Sequence, residues 1–81
     1  MARYYFDIHN GSGPVTDSEG LEVESGARVE SEVARILTDI ARDEFAAVAD
    51  GEVAVEVRNE AGTVVFCGSL TFHAKWTGMG Q

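Results

Sequence analysis

From residue 3 to residue 9 the chain alternates apolar and polar positions. Tyr4, Phe6 and Ile8 fall on one side, and Arg3, Tyr5, Asp7 and His9 on the other. Period two over seven residues predicts a half-buried strand. Glycine and Pro14 then make a turn of residues 10–14. A short second strand follows between Val15 and Val23, with Asp17, Ser18, Glu19 and Gly20 forming a polar tight turn or bulge inside it. The period lengthens over residues 25–47. Val29, Val33, Ile36, Leu37, Ile40, Ala41 and Val48 make an apolar stripe at helical spacing, with Ser31, Arg35, Thr38, Asp39 and Arg42 opposite. Ser25 is the expected N-cap. Glu32–Arg35 and Asp39–Arg42 are spaced for ion pairs on the helix surface. Glu44 falls near the centre of the stripe. Either the helix ends there or the residue sits beyond the sheet edge, because an unpaired buried carboxylate is costly.

Asp50 and Gly51 close the helical segment, and alternation returns with Val53, Val55 and Val57 pointing inward. Residues 59–62 read as a hairpin loop, with Gly62 in the left-handed position. The last strand covers residues 63–72, with Val64, Phe66, Leu70 and Phe72 sharing the inward parity and Gly68 as a bend. Residues 73–81, including Trp76, are expected to fray. The predicted fold is α+β: a two-layer ββαββ domain over residues 1–72, with one helix packed on one face of a mostly antiparallel four-stranded sheet.

Composition narrows the function. The 81 residues include 14 Asp or Glu against 6 Lys or Arg, for a net charge of −8. A polyanion of this density does not bind nucleic acid directly through a basic face. The longest apolar runs are far below a membrane span. The single cysteine, Cys67, permits no internal disulfide and fits a reducing compartment. Asp7 interrupts the first apolar stretch, so the N-terminus does not read as a signal peptide. A cytoplasmic location is expected.

Three motifs stand in a familiar order: Arg3-Tyr4-Tyr5-Phe6, then Asp17-x-Glu19-Gly20-x-Glu22, then Val55-x-Val57-Arg58-x-Glu60-x-Gly62-x-Val64. Together they resemble a family of short alphaproteobacterial domains of unknown function, over nearly the whole chain. The resemblance implies a small stand-alone bacterial protein and no activity, substrate or cofactor. The motif residues also have structural readings, with Gly20 and Gly62 at turns and Asp17 and Glu19 as turn-shaping acids.

Candidate chemistry is sparse. Asp17, Glu19 and Glu22 cluster at a turn, but calcium wants six to eight oxygens; solvated turn acids are the preferred reading. Asp7, His9 and Cys67 share the outward parity of their strands, which leaves open a metal site or thiol chemistry. No zinc-ligand spacing or catalytic motif accompanies them, and no cofactor is predicted. The leading expectation is a non-enzymatic protein-interaction or regulatory module that pairs with another protein or with itself as a homodimer. Its contact face would carry Tyr5, Asp7, His9, Glu56, Arg58, Val65 and Cys67, with Trp76 either covering part of it or awaiting a partner. The alternatives are a metal- or thiol-dependent enzyme and an acidic, antitoxin-like neutraliser of a basic nucleic-acid enzyme.

Overall fold

The alternation at the N-terminus folds as β1 (Ala2–Asn10), and the second alternating segment as β4 (Asp50–Arg58). They pair antiparallel through Tyr5–Arg58, Asp7–Glu56 and His9–Ala54. The computed structural model describes residues 1–11, 13–47 and 50–78. Ser12 of the predicted turn, Val48 of the predicted stripe and residues 79–81 of the predicted tail lie outside the described residues.

The second strand is split. β2 (Gly13–Val15) and β3 (Leu21–Val23) both pair antiparallel with β1 along the same edge. Residues 16–20 lie opposite residues 5–7 of β1, so the edge must bulge. Asp17 fills the bulge. Its Oδ2 accepts from the Phe6 N–H at 3.0 Å, and its Oδ1 accepts from the N–H groups of Glu19 and Gly20 at 3.0 and 3.1 Å. Gly20 turns the chain back with φ of +74°. A Cβ there would lie 2.9 Å from the Tyr4 carbonyl oxygen, so the position admits no side chain without movement.

The helix α1 (Gly26–Glu44) starts where its cap predicts: the Ser25 Oγ accepts the Arg28 N–H at 3.3 Å. Val29, Val33 and Leu37 are buried from its stripe, with Ile36 and Ile40 packed at the margin. Arg42 reaches Asp39 at 3.3 Å, and Arg35 is shared between Glu32 and Asp39. Glu44 is the last α-helical residue, which answers the anomaly in the stripe: the helix ends there. A 3-10 turn, Phe45–Ala47, follows, and the Phe45 ring stacks on Phe72 at 5.2 Å.

β5 (Val64–His73) completes the sheet, whose order is β2/β3, β1, β4, β5. The five strands thus occupy four lanes, with α1 on one face. Val53, Val55 and Val57 of β4 are at most 1% exposed, sandwiched at the centre of the domain. Each contributes about 1.5–3 kcal/mol by burial. His73, placed in the C-terminal tail by the sequence, is the last residue of β5 and pairs with Asp50.

Two details of β5 depart from the sequence reading. Gly68 is not a bend but a close approach: it lies inside the strand opposite Val55, and a Cβ on it would meet Val33 Cγ1 at 2.7 Å. Its missing side chain lets the helix come down on the sheet. The register also shifts between Val57 and Arg58, where Val57 faces Phe66 and Arg58 faces Val64. Val65 is the extra residue of this bulge, and the parity assigned to Val64 and Val65 is lost there.

Candidate functional site

The face of the sheet opposite α1 is a grid set by strand register. One row holds Tyr5 and Arg58, the next Asp7, Glu56 and Cys67, and the next His9, Ala54 and Ser69. Six predicted face residues, Tyr5, Asp7, His9, Glu56, Arg58 and Cys67, therefore lie together. The other two do not join them. Val65, displaced by the bulge, lines a shallow groove with Tyr4, Val29 and Phe66 on the helix side. Trp76 follows β5 and is 79% exposed, so it covers nothing.

The upper rows are locked by charge. Arg58 Nε donates to Asp7 Oδ2 at 2.6 Å and Nη2 donates to Asp7 Oδ1 at 3.1 Å. The Arg58 guanidinium also lies over the Tyr5 ring, 5.0 Å from its centroid. Nη2 donates again to the Asp17 carbonyl at 2.9 Å, while the Asp17 N–H donates to Asp7 Oδ1 at 2.9 Å. The Arg58 hydrogen bond holds the Asp7 carboxyl below its ordinary value against partial burial, with the Asp17 N–H adding to the effect. Burial pushes the Asp17 carboxyl up, but the N–H groups of Phe6, Gly20 and Glu19 outweigh it and leave the group lowered. Both acids are thereby committed as anions to holding the bulge against the sheet.

Arg3 closes the same edge, donating to the Glu19 carbonyl at 2.7 Å and to Glu22 Oε2 at 3.2 Å. The turn acids are thus drawn into separate contacts: Asp17 shapes the turn and Glu22 pairs with Arg3. Among the described residues no group of three or more His, Cys, Asp or Glu is placed to hold a metal ion. His9 and Cys67 share the face with Asp7 but do not converge on it. His9 Nε2 lies 3.4 Å from Glu56 Oε1, and Asp7 is taken by Arg58.

Below this lattice the face opens into a shallow depression of about 390 Å³, lined by His9, Ala54, Glu56, Cys67 and Ser69 with the backbone neighbours Val55 and Gly68. Its floor is made of small side chains. The sequence reading missed Ser69 here and the role of Asp17 as hub. The parity linking Cys67 to Thr71 contains Ser69, whereas the reach of Asp17 to Arg58 spans 41 residues and has no local signal.

This is a small α+β domain with an open antiparallel sheet and a polar face organised by one buttressed arginine. The chain belongs to the family described as a domain of unknown function, DUF6894, which matches residues 3–71. No curated protein and no solved structure matches it. The first two sequence motifs fall largely on the polar lattice, through Arg3, Tyr5, Asp17 and Gly20, and the third joins it through Arg58, its Val55 and Val57 lying in the core. Among the described residues, no helix is long and apolar enough to cross a membrane.

Proposed function

We propose that this chain is a small, non-enzymatic protein-interaction module of the cytoplasm, with the uncovered side of the sheet as its contact surface. One observation carries the reading. Arg58 and Asp7 of that face are spent on one another, and beside them lies a shallow depression floored by Ala54, Cys67 and Ser69. Such a surface accepts a protein side chain or strand better than it encloses a small substrate, whose sites are deep and bury most of the ligand. The single cysteine supports a reducing location.

The test is affinity capture from native extract at low and high salt, with Ala54→Arg as the matched control. Ala54 is partly buried at the floor of the depression, and a long cation there fills it. Capture of a defined polypeptide by the native chain and its loss with Ala54→Arg supports the module. Equal recovery by both chains, or none by either, overturns it.

A further inference from the structure

The two edges of the sheet are built differently. The β2/β3 edge is blocked: its strands are three residues each, Pro14 removes a donor, and the Asp17 bulge and the Arg3–Glu22 pair interrupt it. These are the devices by which sheets prevent pairing with another chain. The β5 edge has only one of them, the bulge at Val65 near its start, and is regular from Phe66 onward. Val64–His73 is ten residues long and contains no Pro, Lys, Arg, Asp or Glu. Among the described residues no strand pairs with its outer side. Val64, Val65 and Leu70 are 46%, 50% and 39% exposed along it.

We propose that β5 pairs antiparallel with β5 of a second copy of this chain, joining two sheets into one. The proposal goes beyond the interaction-module reading above: it concerns the sheet edge, not the sheet face, and names a second copy as its occupant. Two observations favour a second copy as the occupant. The first is the side-chain order. On the helix side β5 reads Phe66, Gly68, Leu70, apolar residues flanking a glycine. A two-fold axis normal to the sheet at Gly68 keeps both helices on one side. It sets glycine against glycine and Phe66 of each copy beside Leu70 of the other. On the open face it sets Cys67 beside Ser69.

The second is charge. The chain carries −8, yet the strand itself is free of acidic and basic side chains apart from His73 at its end, so its own side chains set no like charges against each other across the pairing.

Sedimentation equilibrium of the purified full chain, over a concentration series at low and high salt, tests this. A monomer–dimer equilibrium is expected. It tightens as salt screens the repulsion between two acidic chains, the opposite of the response of a complex with a basic partner. Leu70→Lys places a charge beside Phe66 of the second copy, and Ser69→Lys places like charges across the axis. Each is expected to weaken dimerisation at least about tenfold, or 1.4 kcal/mol, with the far-ultraviolet circular dichroism of the monomer unchanged. Cys67, the sole cysteine, is expected to give a covalent dimer with a short bis-maleimide in the native chain and not in these variants. A monomer at every concentration, or a dimer that both folded variants retain, overturns the proposal. If a monomer still captures a partner that Ala54→Arg loses, self-pairing falls and the interaction-module reading stands.

Discussion

Arg58 and Asp7 are joined by two hydrogen bonds across adjacent strands, and the same guanidinium holds the backbone of Asp17 on the bulged edge. One residue of β4 thus fastens β1 and the segment between β2 and β3. The fastening is charge-assisted on both sides, and so it depends on pH.

Acid is expected to loosen it. Asp7 and Asp17 both have carboxyls lowered on folding. A group lowered on folding contributes stability in full above its unfolded value, near 4, and that stability is lost as pH falls through the folded value. Glu32, lowered chiefly by its hydrogen bond to Arg35, acts in the same direction. The melting temperature should be nearly level above about pH 5 and fall progressively below about pH 4. Asp7→Asn should lower it at neutral pH and flatten the acid limb. An acid limb as steep as that of the native chain would show that Asp7 does not couple to folding.

Gly68→Ala should destabilise the domain by about 1–3 kcal/mol through overpacking against Val33. Urea denaturation reads this as a lower midpoint with an unchanged slope. An unaltered midpoint would mean that α1 shifts freely on the sheet.

Gly20→Ala combines a left-handed backbone with a contact of 2.9 Å to the Tyr4 carbonyl oxygen. A loss of at least about 1–2 kcal/mol is expected from the backbone conformation alone. It should exceed that of Gly62→Ala, where φ is +88° but the space is open. Equal losses at the two positions would remove the steric part of the argument.

Cys67 is exposed and lies opposite Glu56. In the folded chain at low concentration it should react with a small thiol reagent without prior unfolding, as its exposure requires. A rate more than about tenfold that of an unfolded cysteine peptide would mark an activated thiolate and bring the enzymatic reading forward.

Much of this architecture was legible in the order of residues. The alternation of Val53, Val55 and Val57 identified the central strand, and Ser25 with Val29, Val33 and Leu37 identified the helix and its buried face. Six of the face residues followed from parity alone. What was not legible depended on tertiary distance. Parity fails at a bulge, so Val65 was misplaced as soon as Arg58 paired with Val64 instead of Val65. A glycine in a strand looks the same whether it bends the chain or admits a helix, and only the position of Val33 distinguishes the two. Asp17 was read as a turn residue, which it is; its links to Asp7 and Arg58 run between segments far apart in the chain.

The bulge plugged by Asp17 also sets a valence. A sheet with two free edges can add strands on either side and grow without limit, as fibres do. With the β2/β3 edge closed, this sheet has one point of addition. Any strand that docks on β5 leaves no second site for another on the same domain, and two copies joined there consume both of their open ends. The carboxylate that shapes a turn at one edge would thus make the proposed assembly at the other self-terminating.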